Sequence, residues 1–211
     1  GSISSLELAP PALTTPQIVT KRVFDFLVAA TLLVLLAPLF GAIALLIKID
    51  SPGPVCFLQR RHGFNQQPFR ILKFRTMSCL DDGDQVRQAR RDDPRITRVG
   101  AWLRRCNLDE LPQLVNVLCG QMSLVGPRPH ALAHDREFEH RIALYARRHN
   151  VKPGITGWAQ VHGLRGETDT DDKMARRVAL DLWYIDNWTV WLDIVIMLRT
   201  VSTGKAYRNA R

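Results

Sequence analysis

The chain has 211 residues, enough for one compact domain with a real core or one modest domain plus a membrane element, and too few for two full domains. Lys and Arg number 29 against 20 Asp and Glu, a formal charge of +9. This balance favours anionic partners (phosphorylated substrates, acidic headgroups or nucleic acid) without choosing among them, and excludes a strongly acidic, solvating chain.

The Gly1-Ser2 start carries no initiating Met and resembles the scar of a cleaved tag, so the natural protein is expected to begin further upstream. Residues 1–20, with Pro10-Pro11 and Pro16, read as scar and linker. From Phe26 to Ile47 no charged residue appears, which is long enough for a helix to span the hydrocarbon core. Pro38 interrupts this run and Gly41 loosens it, so a bent helix over 21–50 is expected. Basic residues flank both ends: Lys21 and Arg22 before, Lys48, Arg60 and Arg61 after. Cytoplasmic flanks are normally the basic ones, which favours a re-entrant helix with both ends on one face; a single kinked span stays open.

Ser51-Pro52-Gly53-Pro54 reads as a turn, followed by short strands at 55–58 and 69–75 around a turn at 62–65. In an extended segment Lys73 and Arg75 share a face and aim two cations at one place, or else protect a solvated edge strand. Residues 81–98 are densely charged and read as a surface loop. Cys56, Cys79, Cys106 and Cys119 stand far apart without a C-x-x-C pair, which suggests a reducing compartment, neither zinc nor disulfides.

Leu111, Leu114, Val115 and Leu118 recur at helical spacing, and Pro112 suits a first turn, which puts Asp109 and Glu110 at a helix N-terminus. Two readings stand side by side. The acids cap the helix and complement its dipole; or they are an ionised nucleophile and a metal-binding neighbour, facing phosphoryl oxygens neutralised by Arg104, Arg105, Lys73, Arg75 and Arg128. Mg2+, a hard ion that prefers oxygen ligands, is the metal such a pair would take. The Gly126–Pro129 turn presents Arg128, a guanidinium suited to bidentate phosphate contact. In the segment 153–160 the glycines permit close backbone approach, and Trp158 is a stacking surface or a core residue. His130 and His134 lack a third ligand, so zinc is not expected, and no Walker, Rossmann or nucleophile-elbow loop occurs. Trp183, Tyr184, Trp188 and Trp191 precede the apolar stretch 192–198; an in-plane amphipathic helix near 183–200 and a core helix at the domain edge both fit.

In order, Lys73-Phe74-Arg75-Thr76-Met77, Leu108-Asp109-Glu110-Leu111-Pro112-Gln113, the stretch Met122 to Pro129 and the stretch Lys152 to Gln160 resemble the bacterial sugar transferases called monotopic phosphoglycosyl transferases. The resemblance runs from about Lys21 to Tyr207. It implies a mainly helical α+β fold with a small antiparallel β element, a re-entrant membrane helix kinked at Pro38 and amphipathic interfacial helices, the catalytic domain being 51–207. Ala37 stands where the family often has Ser, which removes a hydroxyl that would help satisfy the opened backbone. The resemblance further implies ping-pong transfer of hexose-1-phosphate from a UDP-sugar to undecaprenyl phosphate. Asp109 would be the nucleophile, Glu110 and Asp109 would hold Mg2+, and Arg104 and Arg128 would contact phosphate. Lys73, Arg75, Trp158 and Gln160 are further substrate-binding candidates.

His130 to His134 and Gly163 to Thr170 resemble the undecaprenyl-phosphate glucose phosphotransferases of exopolysaccharide synthesis, which points to UDP-glucose first and UDP-galactose second. Members of that group commonly carry extra transmembrane helices before the catalytic region. The implied location is the bacterial inner membrane, with the catalytic domain on the cytoplasmic face and membrane lipids as partners. A membrane-tethered module binding nucleic acid or acidic lipid through 87–105 is the reading of another class. The acidic pair within that basic surface weighs against it, so no nucleic-acid partner is expected.

Overall fold

The computed structural model describes residues 12–78, 93–130, 135, 138–139, 141–166 and 170–202. The readings placed on Pro10-Pro11, Cys79, 81–92, His134, the 167–169 part of the Gly163 to Thr170 stretch and everything past 202 lie outside these residues.

The chain opens in a 36-residue helix, α1 (Thr15–Asp50), about 54 Å long at 1.5 Å per residue. It starts at Thr15, earlier than the boundary expected at Lys21. The Thr14 N–H donates to the Gln17 side chain at 2.8 Å, and Pro16 occupies the first turn, where proline costs no hydrogen bond. A proline that reads as linker thus begins the helix. The helix is long and apolar enough to cross a membrane, and it continues through Pro38. Val34 and Leu35, near its middle, are 76% and 69% exposed.

Both ends of α1 rest on the same folded body. Near its start Lys21, Asp25 and Ala29 are buried; near its end Ile43 and Ile47 pack with Phe74 and Leu103. The Arg22 guanidinium donates to the carbonyls of Val117 and Leu118, each at 2.6 Å. Asp50 accepts from the Val99 N–H at 3.1 Å.

Strands β1 (Cys56–His62) and β2 (Pro68–Phe74) form the antiparallel hairpin anticipated from sequence, with Leu58 opposite Leu72. A short helix α2 (Arg98–Arg105) follows, N-capped by Thr97, whose hydroxyl accepts from the Gly100 N–H at 3.0 Å. Helix α3 (Gln113–Leu118) then leads into β3 (Ser123–Val125), which pairs in parallel with β4 (Gly154–Thr156). This second pair was not anticipated. Its glycines serve backbone-to-backbone approach: a Cβ on Gly154 would collide with the Gly126 backbone nitrogen.

Helix α4 (Trp158–Val161) precedes two longer helices, α5 (Asp171–Asp186) and α6 (Val190–Ser202). The single helix expected near 183–200 is therefore broken between Asp186 and Val190. Its aromatics divide as well: Trp183 and Trp191 are exposed, whereas Tyr184 and Trp188 lie in the core. There the Asp193 carboxylate accepts from the Tyr184 hydroxyl (2.7 Å) and the Trp188 indole (3.1 Å) and pairs with Lys21 at 2.6 Å. A buried charge with that many partners is satisfied. The architecture is mainly helical, with two small two-stranded sheets among the described residues.

Candidate active site

The connection from α2 to α3 is a sharp reversal. Asn107 takes a left-handed backbone conformation (φ 55°), a state that Asn tolerates better than most residues. One 3-10 turn, Leu108–Glu110, follows, and α3 starts only after Pro112. Asp109 and Glu110 therefore stand ahead of the helix. The capping account loses its support, because Asp109 accepts no hydrogen bond among the described residues.

Glu110 is buried and held by three cations from three different segments. Arg128 makes a fork, Nη2 to Oε1 at 2.6 Å and Nη1 to Oε2 at 3.2 Å; Arg165 reaches Oε2 at 2.7 Å; Lys73 reaches Oε1 at 3.1 Å. Burial alone would raise the Glu110 pKa, but Arg128, Lys73 and Arg165 outweigh it and hold the carboxyl well below its usual range. Asp109 behaves oppositely. Burial pushes its carboxyl up, Lys73 resists, and the Glu110 charge adds to the rise against Arg104 and Arg128.

Local structure delivers each cation. Asn116 on α3 accepts from the Leu72 N–H (2.9 Å) and donates to the Arg70 carbonyl (2.8 Å), which docks β2 on α3 and brings Lys73 to Glu110. Arg128 follows β3 on the Gly126–Pro129 turn, and Arg165 follows α4. Arg104, in the last turn of α2, is steadied by the Thr76 hydroxyl at 2.9 Å. Four cations thus surround two carboxylates, one saturated and one open, and the excess positive charge suits a diphosphate.

Of the residues proposed from sequence, Asp109, Glu110, Arg104, Lys73 and Arg128 come together. Arg75 does not: β2 ends at Phe74, the alternation of faces ends with it, and the guanidinium turns to the Ser51 carbonyl (2.7 Å) and hydroxyl (2.9 Å) and the Pro52 carbonyl. Trp158 stacks on Trp183 (centroids 4.9 Å apart, 21° between planes) beneath Arg199. Gln160 is buried on α4, donating to the Ile155 carbonyl at 3.3 Å. Neither is joined to the Glu110 cluster by a hydrogen bond or ring contact among the described residues. Arg165 was the cation not singled out; the only hint in the sequence was its place between Gly163 and Gly166.

Mg2+ demands oxygen ligands and commonly takes one or two carboxylates together with phosphate oxygens and water. No group of three or more His, Cys, Asp or Glu gathers among the described residues. Both Glu110 oxygens are occupied by cations, so Asp109 is the carboxylate that can share such an ion with a bound diphosphate.

The sequence profile of the family described as "Bacterial sugar transferase" matches residues 16–205. Over 191 residues the chain is 54% identical to a UDP-glucose:undecaprenyl-phosphate glucose-1-phosphate transferase of Caulobacter vibrioides, covering 89% of this chain and 72% of that protein. A protein of the same name from Escherichia coli (strain K12) is 52% identical over 184 residues, 87% of this chain and 40% of that protein. A UDP-N-acetylgalactosamine-undecaprenyl-phosphate N-acetylgalactosaminephosphotransferase of Aeromonas hydrophila is 45% identical, covering 87% of this chain and 43% of its own length. Against several of these curated relatives the chain thus spans about 40% of their length. A profile match over nearly the whole chain, joined to an open carboxylate ringed by cations, assigns it: the chain belongs to the bacterial sugar transferase family.

Proposed function

We propose that the protein transfers hexose-1-phosphate, with glucose as the leading sugar, from a UDP-sugar to undecaprenyl phosphate. The observation that carries this reading is the divided pair: Glu110 gathers Lys73, Arg128 and Arg165, while Asp109 beside it carries no hydrogen bond among the described residues. In the first step an Asp109 oxygen attacks the phosphorus attached to the sugar. The bond from that phosphorus to the bridging oxygen breaks, UMP leaves, and an aspartyl sugar phosphate remains. In the second step a phosphate oxygen of undecaprenyl phosphate attacks the same phosphorus and frees the Asp109 carboxylate. Arg104, Lys73, Arg128 and Arg165 neutralise the phosphoryl oxygens throughout. Asp109 would hold Mg2+, which when bound would supply further charge neutralisation.

Because the acceptor keeps its tail in the bilayer, the site must sit at a membrane surface. Two observations support α1 as an element that enters the bilayer and returns. Both ends of α1 bind one folded body, whereas a crossing helix would separate them by a hydrocarbon core of about 30 Å. Its outer side, from Ile18 to Ile49, exposes large apolar residues, including Phe26, Leu35 and Leu45. We place the catalytic domain on the cytoplasmic face of the inner membrane, where a nucleotide sugar is supplied.

The test is product formation by the protein in lipid nanodiscs with Mg2+, undecaprenyl phosphate and one UDP-hexose at a time. UMP release with UDP-glucose, and a sugar-phosphate adduct on Asp109 when acceptor is omitted, are the expected results. Release with UDP-galactose or UDP-N-acetylgalactosamine alone would change the sugar; release with none would overturn the reading.

A further inference from the structure

Behind the Glu110 cluster lies a second buried set of polar groups that the transfer chemistry does not touch. Arg177 on α5 is 4% exposed. It pairs with no carboxylate through a hydrogen bond among the described residues; its two acceptors are the His130 Nε2 (3.0 Å, from Nη1) and the Gly166 carbonyl (2.6 Å, from Nη2). Its Nε has no hydrogen-bond partner among the described residues. A buried guanidinium whose hydrogen bonds among the described residues all go to neutral acceptors is costly. Burial, and then Arg148, push its pKa down to about 10 against the opposing charge of Asp181.

Two guanidinium N–H groups face His130, Arg177 at Nε2 (3.0 Å) and Arg148 at Nδ1 (3.2 Å), and a neutral imidazole accepts at one nitrogen only; the shorter contact, with the Tyr145 oxygen 2.7 Å from Nδ1 as acceptor, favours the ring proton on Nδ1. The Tyr145 hydroxyl in turn donates to Asp135, whose other oxygen meets the His62 Nδ1 at 3.0 Å. Arg148 Nη1 lies farther from the His130 Nδ1, at 3.2 Å, while Arg148 Nε donates to Asp181 (2.8 Å) and its Nη2 to the Arg128 carbonyl (2.9 Å). Around His130 stand the cations Arg148, Arg177, Arg61 and Arg128, with the Asp135 carboxylate 3.8 Å from Nδ1. Burial and these cations hold the imidazole well below the usual histidine range.

The two backbone carbonyls gripped here, at Arg128 and at Gly166 beside Arg165, carry the two arginines that clasp Glu110. We propose that His130 and Arg177 form a positioning pair for Arg165: His130 presents a fixed neutral acceptor, Arg177 spans from it to the Gly166 carbonyl, and the 163–166 segment is thereby set so that Arg165 reaches the phosphate site. This rests on the transferase reading for what Arg165 binds, but not for the pair itself.

Two measurements test it. In 15N-histidine-labelled protein in nanodiscs, the His130 signal should show an unprotonated Nε2 and should not titrate near the ordinary value of 6.5. A protonated Nε2, or titration there, overturns the pair. In kinetics, His130→Phe should raise KM for the UDP-hexose roughly tenfold to a hundredfold, the size of one lost charged hydrogen bond, with a smaller change in kcat. His130→Gln, which keeps an acceptor oxygen, should restore KM close to that of the unsubstituted protein. His130→Phe added to Arg177→Met should cost nothing beyond Arg177→Met alone. Additive losses, or Gln behaving as Phe does, would show that His130 does not act through Arg177. If the unsubstituted protein forms no product, the transferase reading falls and the 15N result still decides this one.

Discussion

Asp109 and Glu110 are neighbours in sequence with opposite environments: Glu110 is met by Lys73, Arg128 and Arg165, and Asp109 is left open. The difference gives the two acids opposite relations to stability. A carboxyl whose pKa is depressed by folding contributes stability above its unfolded value and loses it as pH falls through the folded value. Glu110 is such a group. A carboxyl whose pKa is raised by folding binds its proton more tightly when folded, so stability falls as pH rises from about 3.8 through the raised value. Asp109 is that group.

The two amide substitutions should therefore shift the melting temperature at pH 7 in opposite directions. Glu110→Gln strands three cations and should cost about 3 kcal/mol or more, in the range for removing one partner of a buried ion cluster. Asp109→Asn removes a penalised charge and should melt at or above the unsubstituted protein. Differential scanning fluorimetry in one detergent compares them directly; equal losses would contradict the division of roles.

For turnover the order reverses. Asp109→Asn should lower kcat by more than about a thousandfold, as removal of a nucleophile does, and should abolish the covalent adduct seen by intact-mass spectrometry. The acid limb of the rate profile should lie above the ordinary aspartate value, since the nucleophile acts only when ionised and its pKa is raised.

Arg75→Ala should act on the fold and leave KM for the UDP-sugar unchanged, because the guanidinium closes the Ser51-Pro52 turn and points away from Glu110. Steady-state kinetics beside a thermal melt separates the two effects.

Lys21→Met should loosen α1. It leaves the fully buried Asp193 without its cation, a loss of about 3–5 kcal/mol. Limited proteolysis should then cut near the start of α1 in the variant and not in the unsubstituted protein.

How much of this could be read from sequence depended on the range of the pattern. Asp109, Glu110, Lys73 and Arg128 were singled out because four ordered motifs together resemble one family; each segment alone also fitted a plain structural reading, the acids a helix start and Lys73 an edge-strand charge. Arg75 misled because alternation of faces holds only while a strand lasts, and β2 stops one residue earlier. The pair β3 and β4 was invisible: three residues each give no periodicity, and their partners lie far apart in the chain. Tyr184 and Trp188 could be read as interfacial or as core; Asp193 takes up their polar atoms in the core, and the Lys21 that balances its charge lies 172 positions away, beyond the reach of a local pattern. Arg165 escaped notice for a related reason, since its carboxylate partner is 55 positions away.

If α1 enters the bilayer as proposed, its attachment at both ends makes the lipid a participant in the chemistry. One end is fastened by Arg22 to the C-terminus of α3, the helix that follows the Asp109 turn; the other, through Asp50, holds the start of α2, the helix that carries Arg104. Under the proposed reading, nucleophile and cation are mounted on opposite ends of one spring whose middle enters the bilayer. Acyl-chain length, which sets how far that middle can flex, should tune turnover in nanodiscs of graded thickness while leaving the melting of the soluble core unmoved.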